Sequence, residues 1–207
     1  MSQELTKRIL SSVIIVAIAF FFIIKGSFFY IFFLLVFFFI TSFEWYKMTK
    51  NKSYFLFGLI FLIVSFLSAF LLRNIYLDDF VLVILICIST DIGGFVFGKI
   101  FKGPKLTKIS PNKTYSGMIG SFFLSIISSL FYVNYYDLVY WTDDVILIAV
   151  ILISSISQIG DLTVSYFKRK SKIKNTGKII PGHGGLLDRI DGMLFAIPFA
   201  FILFKFL

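Results

Sequence analysis

Seven apolar runs constrain this chain more than any other feature of its sequence. They cover roughly residues 9–24, 27–45, 54–73, 79–98, 116–134, 144–166 and 186–206. Several are long enough to cross a hydrocarbon core about 30 Å thick, which takes ~20 helical residues. Their residues do not alternate between polar and apolar as the strands of a membrane barrel do. The sequence therefore predicts an all-α, polytopic integral membrane protein with about seven transmembrane helices.

The composition agrees with this fold class. Hydrophobic residues make up 58% of the 207 residues and charged residues only 15%, against about 25% charged in a typical soluble domain. No stretch resembles a separate soluble domain. Residues 1–207 are therefore predicted to form a single membrane domain.

The basic residues are distributed unevenly across the predicted membrane. One side has only Lys25, Arg73 and Lys205. The opposite side carries the other seventeen of the 20 basic residues: Lys7, Arg8, Lys47, Lys50, Lys52, Lys99, Lys102, Lys105, Lys108, Lys113, Lys168, Arg169, Lys170, Lys172, Lys174, Lys178 and Arg189. The positive-inside rule places that basic side, and with it the N-terminus, in the cytoplasm. The net charge of +9 thus reflects the orientation of the chain in the membrane, and no nucleic-acid partner is predicted.

The scarcity of cysteine and histidine limits the kinds of metal site that this chain can form. Cys87 is the only cysteine and His183 the only histidine, which excludes an intrachain disulfide and a His/Cys zinc site within one chain. A catalytic metal would need oxygen ligands, which favours Mg²⁺, Mn²⁺ or a similar hard cation.

The sixth run and its extension carry a polar stripe. If the helix continues past Gly160, then Asp161, Ser165, Lys168 and Lys172 lie on one face, with Arg169 beside them. A carboxylate inside a span costs ~2.5–3.5 kcal/mol on insertion scales unless it is paired or hydrated. The stripe therefore indicates a functional site. A helix-end aspartate beside solvated lysines would produce the same pattern without any function.

The segment "PGHGG", residues 181–185, precedes the last apolar run and cannot be regular helix. Its glycines let backbone N–H groups approach an anion, and the following helix presents its positive end there. Asp188 and Asp191 lie three residues apart in the first turns, with Arg189 between them. This combination suits a divalent cation bound to a polyphosphate. The alternative is that acidic residues simply favour a helix N-terminus.

A third polar element follows the fourth run. Asp91 lies inside that run, and a basic loop from Lys99 to Lys113 comes after it. The loop lysines alone are equally typical of an ordinary cytoplasmic loop. Asp91 indicates a functional role or a buried structural pair.

These segments together resemble a known family. "SYFKRKSKIKNTGKIIPGHGGLLDRID", residues 165–191, is similar to the signature of the CDP-diacylglycerol synthases, also called phosphatidate cytidylyltransferases. "ISPNKTYSGMIGS", residues 109–121, and "DIGGFVFGK", residues 91–99, match two further family stretches. The resemblance extends from about residue 91 to the C-terminus, and the predicted signature and catalytic region is about 91–191.

The resemblance implies a reaction and a set of roles. CTP and phosphatidic acid would give CDP-diacylglycerol and pyrophosphate in a bacterial inner membrane, at a site that faces the cytoplasm among membrane lipids. It implies Mg²⁺ or another divalent cation, allows a second, monovalent ion, and suggests a homodimer. The catalytic positions would be Asp161, Lys168, Arg169, Asp188 and Asp191, of which Asp161 and Asp188 would hold the metal. The substrate-binding positions would be Ser165, Lys113, Thr114, Gly182, His183, Gly184, Gly185 and Arg189.

Three alternatives stay open at this stage. A CTP-dependent lipid kinase of the polyprenol or phytol type would transfer the γ-phosphate to a lipid alcohol. A polytopic transporter or channel would line a path across the membrane with its charged residues. An inactive relative is the third, since Asn175 and Ser116 replace the aspartate and glutamate usual in the family pattern.

Overall fold

A computed structural model describes residues 16–177, 179 and 184–206. This part of the chain is mainly helical, and it contains an isolated antiparallel bridge between Lys105 and Thr114. Its helices are α1, described over Val16–Lys25, α2 (Ser27–Thr49), α3 (Phe55–Ile75), α4 (Leu77–Phe101), α5 (Tyr115–Tyr135), α6 (Asp143–Lys170) and α7 (Leu187–Leu203). The predicted all-α class is confirmed.

Five of the helices in the described part, α2 to α6, are long and apolar enough to cross a membrane. Helix α7 has 17 residues, and the first predicted span begins outside the described residues. The chain is thus a multi-pass membrane protein. The exact number of spans and the cytoplasmic N-terminus stay predictions.

Helices α4 and α5 pack closely because small residues face each other. A Cβ on Gly93 would collide with the carbonyl oxygen of Gly120, and one on Gly117 would lie 2.7 Å from that of Gly94. The Ser121 hydroxyl also donates to a carbonyl of α4, at Thr90, over 2.7 Å. Small residues and interhelical hydrogen bonds are the usual means of helix association in lipid. The glycines that follow Asp91 therefore serve packing.

The end of the molecule opposite the basic loops is held by polar side chains. The Arg73 guanidinium donates to the Ile23 carbonyl at the end of α1, with Nη2 to oxygen at 2.7 Å. At the start of α4, the Asp79 carboxylate accepts from the Trp141 indole at 2.8 Å and from the Tyr140 hydroxyl at 3.1 Å. These contacts satisfy polar groups that would otherwise be costly near hydrocarbon.

Helix α6 continues past Gly160, as the polar stripe requires, but ends at Lys170. Lys172 lies beyond the helix with a left-handed backbone, φ 57°, so the predicted extension of the stripe to Lys172 is wrong. Gly160 lies against the Phe195 ring of α7, and Gly192 lies against Ser157 of α6. This close approach brings the polar end of α6 next to the first turns of α7.

Candidate active site

Four parts of the chain meet at one end of the helical array, which we call the basic end. They are the C-terminal halves of α2 and α6, the start of α7, and the loop of residues 102–114. Ser171 after α6 donates to the Met48 carbonyl near the end of α2 at 3.0 Å. Arg169 of α6 donates to the Ile109 carbonyl of the loop at 3.5 Å. Every predicted site residue within the described part lies at or next to this end.

Lys168 and Asp188 form a shielded ion pair that joins α6 to α7. The Lys168 Nζ lies 2.8 Å from the Asp188 Oδ1, and the two side chains are 10% and 5% exposed. The other carboxylate oxygen accepts from the backbone N–H groups of Thr176 and Gly185, at 2.8 and 3.0 Å. The sequence placed Lys168 on the polar stripe of α6, and the structure shows that it is buried within the protein.

Glu44 is a buried residue of this end that the sequence analysis missed. Only 2% of it is exposed. Its carboxylate accepts from the backbone N–H groups of Leu186 and Leu187 at 3.0 and 2.8 Å, and from the Thr176 hydroxyl at 2.9 Å. It therefore caps α7 from another helix, satisfying N–H groups that have no partner within α7. A lone glutamate in the second apolar run was the available signal, because carboxylates in spans are expensive.

The basic loop contacts α6 through an ion pair at Asp161. The Lys113 Nζ lies 2.5 Å from the Asp161 Oδ2, and both side chains are about a quarter exposed, at 26% and 27%. One turn further along α6, the Ser165 hydroxyl donates to the Asp161 Oδ1 at 3.3 Å. The structure thus brings together Lys113, Asp161 and Ser165, which the sequence placed on two separate segments.

Thr114 and Ser116 have structural contacts at the start of α5. The Thr114 hydroxyl caps the helix by accepting from the Gly117 N–H at 3.1 Å. It also lies 3.0 Å from the Ser116 hydroxyl, which donates to the Lys102 carbonyl. Ser116 departs from the resembled pattern, and here it connects the two ends of the basic loop.

Two more carboxylates lie in electrostatic range of Asp161. Asp191 in α7 is 6% exposed, and its Oδ1 accepts from the Gly192 N–H at 2.9 Å. Asp91 of α4 interacts with Asp161 and also with the cations of Lys113 and Arg189. Asp191 interacts with Asp161, Asp91 and Lys168. The acidic groups are thus surrounded by cations from three different segments.

The two arginines of the predicted site are exposed but differ in position. Arg169 lies at the outer edge of the basic end, where its Nη1 donates to the Ile173 carbonyl at 3.3 Å. Arg189 lies on the first turn of α7 and lines an apolar cavity together with Asp91. The charges of both guanidinium groups are permanent, so either can bind a phosphate.

The glycine-rich segment is described only in part. Gly182 and His183, predicted to bind substrate, lie outside the described residues. Gly184 has a left-handed backbone, φ 92°, where a Cβ would lie 2.9 Å from the Asp188 carboxylate. The Gly185 N–H, expected to bind a phosphate, donates to Asp188 in this structure. A Cβ on Gly185 would collide with the Thr176 hydroxyl and the Glu44 carboxylate, so both positions favour glycine.

The carboxylates of this end supply oxygen atoms, the ligand type that a hard divalent cation such as Mg²⁺ takes. Among the residues that the structure describes, no three His, Cys, Asp or Glu side chains are arranged to hold a metal by themselves. Mg²⁺ commonly binds through one or two carboxylates together with substrate phosphates and water. Asp161, with Asp191 and Asp91 nearby, fits that arrangement. Asp161 and Asp188 both have protein contacts on each carboxylate oxygen, and their pairing around a metal stays a prediction.

Comparison with known proteins assigns the chain to a family. The model of the Cytidylyltransferase family matches residues 53–207. The phosphatidate cytidylyltransferase of Rickettsia bellii (strain RML369-C) is 36% identical over 173 residues, which covers 77% of this chain and 73% of that protein. That of Rickettsia prowazekii (strain Madrid E) is 39% identical over 167 residues, covering 76% and 73%. That of Staphylococcus aureus (strain COL) is 44% identical over 119 residues, covering 55% and 44%. Glu44 lies outside residues 53–207, the range that the family model matches. The part of the site built from α4, α6 and α7 lies within that range. The chain therefore belongs to the cytidylyltransferase family.

Proposed function

We propose that this protein is a nucleotidyltransferase that makes CDP-diacylglycerol and pyrophosphate from CTP and phosphatidic acid. The observation that carries the proposal is the assembly at the basic end. Lys113 of the basic loop, Asp161 and Lys168 of α6, and Asp188 of α7 meet there in two ion pairs. The relatives that cover most of the chain are named for this activity.

The reaction needs no covalent enzyme intermediate. A phosphate oxygen of phosphatidic acid attacks the α-phosphorus of CTP and forms the new P–O bond. The bond from that phosphorus to the bridging oxygen breaks, and pyrophosphate leaves with the electron pair. Catalysis then consists of positioning the two substrates and neutralising negative charge as it develops on the leaving group.

The cations of the basic end supply that neutralisation. Lys113 belongs to the loop of residues 102–114, and Arg169 donates to the Ile109 carbonyl of that loop. Both cations are at least partly exposed and bind the triphosphate of CTP. Arg189 lines the apolar cavity beside Asp91 and binds the lipid phosphate. Lys168 is held by Asp188 and keeps the start of α7 in register with α6 while it contributes positive charge. Ser165 orients Asp161 through their hydrogen bond.

A divalent cation, when bound, would neutralise the triphosphate and polarise its phosphoryl oxygens. Asp161 is the first ligand in this proposal, with Asp188 as the predicted partner and Asp191 as the nearest replacement. The divalent ion is Mg²⁺ or a similar hard cation, because the available donors are all oxygen atoms.

Location follows from the distribution of charge. We place the basic end in the cytoplasm, where CTP is found, at the depth of the phosphatidate headgroups, in a bacterial inner membrane. The homodimer that the family resemblance suggests belongs to this proposal, and light scattering of the detergent-solubilised protein tests it.

A product assay tests the function and separates it from the alternatives. Purified protein in detergent is given CTP labelled at the α-phosphate and phosphatidic acid, with and without Mg²⁺. The expected products are labelled CDP-lipid and pyrophosphate. Formation of lipid phosphate and CDP from an added lipid alcohol would instead establish the kinase. Absence of turnover with every lipid would support an inactive relative.

A further inference from the structure

Two carboxylates from different helices bind the same two stretches of backbone at the basic end. Glu44 of α2 accepts from the N–H groups of residues 186 and 187 at 3.0 and 2.8 Å, and from the Thr176 hydroxyl at 2.9 Å. Asp188 of α7 accepts from the N–H groups of Thr176 and Gly185 at 2.8 and 3.0 Å. Thr176 is therefore bound by both carboxylates, through its hydroxyl to Glu44 and through its N–H to Asp188.

We propose that Glu44 is a positioning residue of the candidate active site and that it acts through Thr176 on the Asp188 carboxylate. The proposal rests on the proposed function and adds to it a residue outside the range that the family model matches. Glu44 is 2% exposed and Thr176 6%, so both act from within the protein. Their contribution to the reaction is to fix the orientation of Asp188, one of the predicted catalytic residues.

Glycine residues let two backbone segments approach Glu44 closely. A Cβ on Gly177, the residue after Thr176, would collide with the Glu44 carboxylate. The same holds for a Cβ on Gly185, just before α7. A side chain at either position would push the carboxylate away from its donors. Because both segments carry glycine at these points, one carboxylate reaches donors on each of them.

Glu44 also decides what the start of α7 binds. The N–H groups at the start of a helix attract anions, and the sequence indicated a phosphate at this one. In the structure two of these N–H groups donate to Glu44, which is an anion of the protein itself. The positive end of α7 is thereby satisfied. The substrate phosphates then bind to the cations of the basic end, and α7 contributes by placing Asp188.

The orientation of Asp188 depends on donors to both of its oxygens. Lys168 lies 2.8 Å from Oδ1, and the N–H groups of Thr176 and Gly185 donate to Oδ2. When the Thr176 hydroxyl loses its acceptor on Glu44, Thr176 can move and Oδ2 loses one of its donors. A catalytic group displaced by about 1 Å can cost roughly a hundredfold in rate. Glu44 thus influences kcat although its contacts are with the protein.

Removing the Thr176 hydroxyl tests the link without changing either carboxylate. In the full-length protein, kcat is measured for Thr176→Val, Thr176→Ser and Glu44→Gln and is divided by the folded fraction, which the shielding of the buried Cys87 thiol reports. We expect kcat to fall by about tenfold in Thr176→Val and in Glu44→Gln, the lower range for groups that orient reacting residues. The KM for CTP should stay within about twofold of the parent, because neither side chain contacts CTP. Thr176→Ser keeps the hydroxyl and should recover most of kcat.

Thr49→Val is the matched control. Thr49 is a buried threonine at the end of α2, and its hydroxyl donates to the Trp45 carbonyl of the same helix at 2.7 Å. The same chemical change at this position should leave kcat unchanged. Because Glu44 and Thr176 act as a unit, the double variant Glu44→Gln/Thr176→Val should have nearly the kcat of the slower single variant. Losses that multiply in the double variant, or an unchanged kcat per folded protein in Thr176→Val, would overturn the proposal.

A second measurement does not depend on turnover. Hydrogen–deuterium exchange of the parent, Thr176→Val and Thr49→Val proteins in detergent is read at single amides by mass spectrometry. Exchange at residues 176 and 185 should accelerate about tenfold in Thr176→Val, because local opening around Asp188 becomes easier, and should keep the parent rate in Thr49→Val. Unchanged exchange at both amides would overturn the proposal even if Glu44→Gln did not fold. If both amides respond as expected but the parent makes no CDP-lipid, the assigned function fails and the link from Glu44 to Asp188 stands.

Discussion

The Lys168 ammonium group lies 2.8 Å from the Asp188 carboxylate, and this buried ion pair is the direct link between α6 and α7 at the candidate active site. Asp188 accepts two backbone hydrogen bonds on its second oxygen. The pair therefore holds three parts of the chain, namely α6, α7 and the segment around Thr176, at fixed positions.

Lys168→Met should destabilise the protein as well as inactivate it. Removing one partner of a buried ion pair leaves the other charge uncompensated, and the free energy of unfolding should fall by about 3 kcal/mol. Thermal unfolding in detergent can be followed with a thiol-reactive dye, because Cys87 is the only cysteine and is buried. The double variant Lys168→Met/Asp188→Asn should recover part of the stability and none of the activity. A Lys168→Met protein as stable as the parent would contradict the importance of the pair.

Arg169→Ala should weaken CTP binding while leaving the stability of the protein nearly unchanged. Arg169 is exposed, and within the described part of the chain it donates to backbone carbonyls, so its loss should change stability by about 0.5 kcal/mol or less. The KM for CTP should rise at least tenfold, since a charge-assisted phosphate contact is lost. Lys170→Ala is the control, because that neighbouring cation lies over the Tyr54 ring, 4.6 Å from its centroid. Equal KM values for CTP in the two variants would show that Arg169 does not bind CTP and that its charge only sets the orientation of the chain in the membrane.

Asp161→Asn and Asp188→Asn should each abolish turnover while the protein still inserts and purifies, and Asp188→Asn should also lower stability because it leaves the buried Lys168 charge without its carboxylate. Both changes are nearly isosteric, and the double variant should be little worse than either single one, because the two groups act as a unit. Residual activity should no longer respond when Mg²⁺ is titrated. If Asp188→Asn keeps substantial Mg²⁺-dependent synthesis, Asp188 is a structural partner of Lys168, and Asp191 is the second ligand to test.

Glu44→Ala should release the start of α7. The change leaves two buried N–H groups and the Thr176 hydroxyl without their acceptor, at about 1–3 kcal/mol for each buried group. We expect a loss of about 3 kcal/mol in the free energy of unfolding and a smaller loss for Glu44→Gln, which keeps one acceptor. Asp144→Asn, at an exposed carboxylate in the first turn of α6, is the control. Unfolding of Glu44→Ala at the parent temperature would show that α7 is positioned without this cap.

Cysteine labelling in intact cells tests the orientation. In a Cys87→Ala background, Lys108→Cys should be shielded from a membrane-impermeant thiol reagent, whereas Asp143→Cys should react. The expectation follows from the excess of basic residues on the side of Lys108. The reverse pattern would place the basic end outside the cytoplasm and exclude the proposed use of CTP there.

The sequence alone determined the helical fold class and the family resemblance. Long apolar runs that do not alternate between polar and apolar residues are stable in hydrocarbon as helices, because a helix satisfies its own backbone hydrogen bonds. The continuation of α6 past Gly160 could also be anticipated from local sequence, because the polar residues at 161, 165 and 168 would then lie on one helical face. The family pattern also named Asp161, Lys168 and Asp188 before their contacts were known.

Only the tertiary structure decided how these residues are partnered. Helical spacing describes one helix at a time, and it does not reveal which side chain of another helix lies opposite. Glu44 caps α7 although more than a hundred residues separate them, Lys168 is buried by that same packing, and the glycines after Asp91 are used to pack α5 closely against α4. Burial and pairing are properties of contacts between distant segments, so they emerge only when the helices are assembled.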